Sequence, residues 1–120
     1  MTQHATLTAQ DVVLAYHSAW TSGDVATAMT YVADDIECKA PGGDISGKAD
    51  YQGFIAAFAP DVTGLTDIGS VVQDDHVALF YYPETAATTT APAAEYFTVA
   101  NGKIVSSVLI FDRMSFLPPS

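Results

Sequence analysis

The chain reads as an α+β domain whose helices gather on one face of a curved sheet. Apolar residues recur at helical spacing as far as Ala59, and from Gly64 onward they fall into strand-length stretches. An Asn101-Gly102 pair between two apolar runs is a strong hairpin signal, because both residues of that tight turn need positive φ. At 120 residues one core can be buried, and no repeat or linker interrupts the pattern. Residues 1–120 are therefore expected to form a single domain with its core at about 9–117.

The elements follow in order. Thr8-Ala9-Gln10-Asp11 resembles a capping box with Asp in the reciprocal position. Val12, Val13, Tyr16, Ala19 and Trp20 then recur at helical spacing, and Gly23 sits where a C-terminal cap belongs. Asp24 caps a second helix with a stripe of Val25, Ala28, Met29 and Val32. "DIECKAPGG" alternates as a strand until Pro41, with Ile36, Cys38 and Ala40 on one face and Glu37 and Lys39 on the other. A third helix spans about Ala49–Ala59, presenting Tyr51, Phe54, Ile55 and Phe58, and Pro60 ends it. Strands are expected at Ile68–Gln73 and His76–Pro83 around an Asp74-Asp75 turn. Two more, Glu95–Ala100 and Lys103–Asp112, flank Asn101-Gly102.

A two-residue turn at Asn101-Gly102 pairs Val99 with Ile104, Phe97 with Ser106 and Glu95 with Val108, and the same face continues through Ile110 and Asp112. The opposite face carries Tyr96, Thr98, Val105, Ser107, Leu109 and Phe111. Both faces are largely apolar, so one covers the helices and the other calls for a homodimer packed sheet to sheet. Glu95 stands out among Phe97, Val99, Val108 and Ile110. Either it reaches solvent at a strand end, or it is a carboxyl with raised pKa that donates a hydrogen bond inside a pocket.

Composition excludes several classes. Apolar residues make up 49% of the chain and aromatics 11%, so disorder is ruled out. Fourteen acidic residues against four basic ones give a net charge of −10, which repels nucleic acid and anionic membrane surfaces. The N-terminus has neither a basic stretch nor an apolar core, so no secretory leader is expected, and a single cysteine suits a reducing cytoplasm. His4, His17 and His76 lack ligand spacing, so no metal is expected. His17, next to Tyr16, is expected off the main buried face. Phosphate-loop and nucleophile-elbow motifs are absent.

The segments "AYHSAWTSGDVATAMTYVADDIECKAPGG", "SGKADYQGFIAAF" and "EYFTVANGKIVSSVLIFDRMSFL" resemble the nuclear transport factor 2-like superfamily, in its SnoaL-like and ketosteroid-isomerase-like branches. The resemblance covers about Ala9–Leu117 and implies a cone-shaped, curved antiparallel sheet closed by three helices around a pocket. It speaks more to fold than to activity. In steroid isomerases of this fold, a tyrosine on the first helix and a protonated aspartic acid bind the substrate oxyanion. Tyr16 and Glu95 match those positions. The isomerase base, an aspartate just before a proline, corresponds to Ala40, so that mechanism lacks its base here. Cys38 has no neighbouring histidine in sequence and reads as a buried, unreactive thiol. The polyketide cyclases of the SnoaL-like branch move a proton with a late aspartate, which Asp112 resembles. Asp112 also fits a solvated strand end. Val108 to Asp112 spans roughly 13 Å at about 3.3 Å per residue, too far for Asp112 and Glu95 to act as a dyad. Epoxide hydrolases of the fold need an Asp–Arg–Asp relay, and no Arg-x-Asp occurs.

The resemblance thus implies a cofactor-free pocket formed by Trp20, Cys38, Ala40, Phe54, Phe58 and Phe97. Tyr16, Glu95 and Asp112 are its candidate catalytic groups, and the ligand a hydrophobic carbonyl or phenol. An isomerase-like or cyclase-like enzyme is expected. A non-catalytic ligand-binding protein and a dimeric adaptor are the alternatives.

Overall fold

The computed structural model describes residues 7–116; His4 and Leu117 lie outside them. Helix α1 is Ala9–Thr21, opened by the expected capping box: Asp11 N–H donates to Thr8 Oγ1 and Thr8 N–H to Asp11 Oδ2, each at 3.1 Å. Its end is a Schellman motif. Gly23 N–H bonds Trp20 O at 3.1 Å and Asp24 N–H bonds Ala19 O at 2.9 Å, with Gly23 at φ +93°. Asp24 then caps α2, Val25–Met29, which is only five residues long. Val32, expected on that helix, instead opens strand β1, Val32–Ala40.

Strand β1 alternates as expected, with Ile36 and Cys38 buried and Glu37 and Lys39 exposed. A tight turn at Pro41-Gly42 folds it onto β2, Gly43–Ser46, a strand the sequence pattern did not reveal. Helix α3 is Lys48–Phe58, and Pro60 falls within a 3₁₀ turn, Ala59–Asp61, that continues it. The remaining strands are β3 (Gly64–Gln73), β4 (His76–Glu84), β5 (Ala93–Ala100) and β6 (Lys103–Phe111), followed by a 3₁₀ turn at Arg113–Phe116. Each of the four runs past its expected start or end except β6, which stops one residue before Asp112.

The six strands form one unclosed sheet in the order β2-β1-β6-β5-β4-β3. All neighbours are antiparallel except β1 and β6, which run parallel, so the sheet is mixed rather than purely antiparallel. Hairpin reasoning sees only strands adjacent in sequence, and this pair joins the two ends of the fold. Val12, Val13, Tyr16 and Trp20 of α1 and Tyr51 and Ile55 of α3 bury themselves against the concave face.

One register feature decides which side chains meet. Val99 pairs with Ile104, as the Asn101-Gly102 turn dictates, but Thr98 then pairs with Ser106, Phe97 with Ser107 and Glu95 with Leu109. Val105 is an extra residue on β6, a β-bulge that shifts the pairing by one. Every later side chain on β6 therefore changes face relative to the expectation. Ser107, Leu109 and Phe111 join Glu95 and Phe97 inside, while Val108 and Ile110 turn outward beside Tyr96.

Candidate functional site

An apolar cavity lies between α1, α3 and the concave face. Trp20, Phe54, Ile55 and Phe58 form its helical wall. Tyr81 and Pro83 from β4, Ala93 and Glu95 from β5, and Leu109 and Phe111 from β6 form the sheet wall. Phe116 closes the mouth, packed edge-on against Phe58 (centroids 6.0 Å apart) and Phe111 (5.5 Å). The enclosed space is about 70 Å³. Pockets for drug-sized ligands hold about 300–1,000 Å³, so a sizeable guest requires this mouth to open. An outer hollow of about 270 Å³ adjoins it across Phe116, walled by Thr63, Thr85 and Ala87 among others. Thr85 anchors that wall: its Oγ1 accepts from Ala87 N–H at 3.2 Å and Thr88 N–H at 3.3 Å.

Glu95 is the one carboxyl among the described residues of the cavity wall, only 2% exposed. Tyr81 Oη donates to its Oε2 at 2.7 Å, and His17 Nδ1 stands 3.6 Å from the same oxygen. Burial pushes the Glu95 carboxyl up to about 7, against a smaller opposing pull from the Tyr81 hydrogen bond. Of the two readings of Glu95, the geometry is that of the buried carboxyl. The same desolvation pushes His17 down to about 4, leaving a neutral imidazole at pH 7.

Behind Glu95 lies a layer of buried hydroxyls. Tyr16 Oη and Tyr51 Oη share a 2.6 Å hydrogen bond, and burial raises both phenols well above their ordinary pKa. Burial likewise pushes Cys38 up to about 11, so its thiol stays protonated at neutral pH. Ser107 Oγ lies near Cys38 and Tyr51 but is left without a well-formed hydrogen bond, as are His17 Nδ1 and Trp20 Nε1.

The expected residues therefore divide. Trp20, Phe54, Phe58 and Glu95 share the cavity. Tyr16 and Phe97 are fully buried beside it, with Phe97 edge-on to Tyr16 at 5.7 Å, and Tyr16 spends its hydroxyl on Tyr51. Cys38 sits in the core, and Ala40 packs against the core half-buried; neither lines the cavity. Asp112 is exposed just past β6, accepting from Met114 N–H at 3.1 Å and Ser115 Oγ at 2.7 Å. It caps the turn that carries Phe116.

His17 was expected to point away from the buried face. It does the opposite, meeting Tyr81 at a 4.5 Å centroid distance and Trp20 at 5.5 Å. The spacing Val13–His17–Trp20 carried the signal, since i, i+4, i+7 is as helical a stripe as the Val12–Tyr16–Trp20 set. Tyr81 could have been found from the alternation Val77, Leu79, Tyr81. Leu109 and Phe111 were hidden by the bulge. Among the described residues, no group of three or more His, Cys, Asp or Glu is placed to hold a metal. No described helix is long and apolar enough to cross a membrane.

Compared with known proteins, residues 13–107 match the model of the SnoaL-like domain. No curated protein matches the chain. Among solved structures, a protein from Kribbella flavida DSM 17836 is 40% identical, with 88% of each chain covered and a TM-score of 0.85. A putative polyketide cyclase from Pseudomonas putida KT2440 is 20% identical, covering 92% of this chain and 96% of its own, with a TM-score of 0.76. TerC, co-crystallised with polyporic acid, is 22% identical, covering 90% of this chain and 94% of its own, with a TM-score of 0.71. These last two likenesses speak to the fold.

Proposed function

Because the chain belongs to the SnoaL-like domain family, on the nuclear transport factor 2-like fold, we propose that it binds a small hydrophobic carbonyl or phenol over Glu95 and moves a proton on it, in an isomerisation or ring closure. The position of Glu95 carries this reading: a buried carboxyl in an otherwise apolar wall, held to about 7 by burial. An acid–base group works best when its pKa lies near the operating pH. As a carboxylate it takes a proton from the carbon beside the guest carbonyl; as the acid so formed it returns that proton to the enolate oxygen, to another carbon of the same molecule, or to the alkoxide left by ring closure. The proton returns to the same molecule, so the chemistry asks for no cofactor. TerC with polyporic acid and the putative cyclase support a small-molecule role for such a cavity.

Tyr16 enters this reading as part of the hydroxyl layer behind Glu95, through Tyr51. Asp112 shapes the mouth by capping the Phe116 turn rather than touching the guest. A reducing cytoplasm suits the buried thiol.

A thermal-shift screen against aromatic ketones and phenols tests the proposal. A ligand at one hundred times its dissociation constant adds about 2.7 kcal/mol, a shift of several degrees. Glu95→Gln should keep most of that shift and lose turnover, since an amide still donates but does not exchange a proton. Turnover that survives Glu95→Gln would sink the catalytic reading.

A second reading, a binding protein without chemistry, is favoured by Ala40. The inner face of β1 offers Ile36, Cys38 and Ala40, with no carboxylate where isomerases carry their base. Binding without turnover of any bound ketone supports it. In either reading we propose a homodimer through the outer sheet face, where Phe80, Tyr96, Val108 and Ile110 line a shallow apolar hollow. Sedimentation as a monomer at micromolar concentration would count against that.

A further inference from the structure

His17 has no part in the proposed chemistry, yet it is the one basic side chain within 4 Å of Glu95 among the described residues. Its ring is wedged between Tyr81 and Trp20, and its side chain is 12% exposed. It does not line the cavity. Nδ1 is buried without a hydrogen-bond partner, an arrangement that costs stability unless some state of the site uses it.

Tyr81 and His17 both address Oε2, and no side chain among the described residues bonds Oε1. A carboxylic acid has one acceptor oxygen and one hydroxyl oxygen. The Tyr81 donor makes Oε2 the acceptor and leaves the proton to Oε1, the oxygen without a side-chain partner among the described residues; a proton on His17 Nδ1, 3.6 Å from Oε2, would reinforce that polarity. We propose that His17 is a positioning residue for Glu95: with its proton on Nδ1 and facing Oε2, it assigns the exchangeable proton of the carboxyl to Oε1, where a guest carbonyl can meet it. The inference rests on reading Glu95 as the functional acid of the cavity.

The other titratable groups that feel the Glu95 charge are Tyr81 on β4, Tyr16 on α1, Tyr51 on α3 and Cys38 on β1. Burial keeps all four protonated at neutral pH. His17 is therefore the group whose removal changes the electrostatics behind Oε2 without removing a hydroxyl. When Glu95 ionises, the Nδ1–H donor stabilises the carboxylate and holds the titration lower than burial alone would.

Two measurements test this. On the wild-type protein, imidazole ¹⁵N shifts report the His17 tautomer, assigned by its loss in His17→Asn. Nδ1 protonated and Nε2 bare is the expected result, and the reverse overturns the proposal. With ¹³C-carboxylate glutamate there are only three signals, from Glu37, Glu84 and Glu95, and Glu95→Gln identifies the third. His17→Phe keeps a ring against Tyr81 and Trp20 but removes the nitrogen, and should raise the Glu95 midpoint by about one pH unit. His17→Asn returns a donor close to the place of Nδ1 and should restore part of that shift. An unchanged midpoint in His17→Phe, or an Asn variant that behaves like Phe, overturns the inference. Neither measurement needs a ligand. Failure of every aromatic ketone to bind would remove the proposed function and leave these results standing; an unchanged midpoint beside intact ketone binding would remove this inference alone.

Discussion

Tyr81 reaches Glu95 on the diagonal of the β4–β5 pair: Leu79 is the direct cross-strand partner of Glu95, and Tyr81, two residues on, donates to Oε2 at 2.7 Å. That bond favours the ionised carboxyl and partly offsets burial. Tyr81→Phe should therefore move the Glu95 midpoint above 7. It should also weaken stability by about 1–2 kcal/mol where Glu95 is charged, since a buried acceptor loses its donor. Carboxylate NMR and urea unfolding at pH 8 check both, and a midpoint that falls would contradict the assignment.

His17 and Glu95 tie stability to pH in opposite senses. The folded pKa of Glu95, about 7, lies above its ordinary 4.5, so its contribution is fully present below 4.5 and is lost as pH rises through 7. The folded pKa of His17, about 4, lies below 6.5, so its contribution is present above 6.5 and is lost as pH falls through 4. Each amounts to about 3 kcal/mol, and between 4.5 and 6.5 the two slopes nearly cancel. Relative to wild type, Glu95→Gln should gain stability steadily as pH rises through that window, and His17→Phe should lose it. Unfolding curves that stay parallel across pH would remove both assignments.

Gly42 turns β1 into β2 at φ +98°, and a Cβ there would meet the Arg113 guanidinium at 2.8 Å. The guanidinium is the far end of a flexible side chain and can yield, so the backbone strain decides the cost. Gly42→Ala should lower stability by about 1–2 kcal/mol. The loss should be the same in an Arg113→Ala background, which would separate strain from collision. A cost that vanishes with Arg113 would show that the contact mattered more.

The helices were legible because local chemistry writes them: a capping box, a glycine at the C-terminus and apolar residues at helical spacing. The Asn101-Gly102 turn was legible for the same reason. Three features were not. Strand β2 is four residues long and begins with glycine, too short to show alternation. The parallel β1–β6 pairing joins distant segments and leaves no local mark. The Val105 bulge escaped because both faces of β6 are apolar, so a slip by one residue leaves the hydrophobic pattern looking equally good on either face. Glu95 was visible as an oddity, but its partners were not. Tyr81 and His17 approach from β4 and α1, and only the closed fold brings them to one oxygen.

That bulge yields the sharpest structural prediction. Val105 is half-buried, so Val105→Ala removes two methyl groups and should cost about 1 kcal/mol. Deleting Val105 is a different act. It removes the extra residue, so Ser106 follows Ile104 and the pairs Thr98–Ser106, Phe97–Ser107 and Glu95–Leu109 run on from Val99–Ile104 without interruption. Leu109 and Phe111 keep their places in the cavity wall, and Val108 and Ile110 stay outside. What the deletion removes is the half-buried Val105 side chain and the local twist that a bulge adds. It should therefore lower the melting temperature by only a few degrees, close to the effect of the alanine substitution. The Glu95 carboxylate signal should stay in place in both variants. If the deletion displaces that signal or unfolds the protein, Val105 is not simply an extra residue, and the bulge geometry itself shapes the cavity.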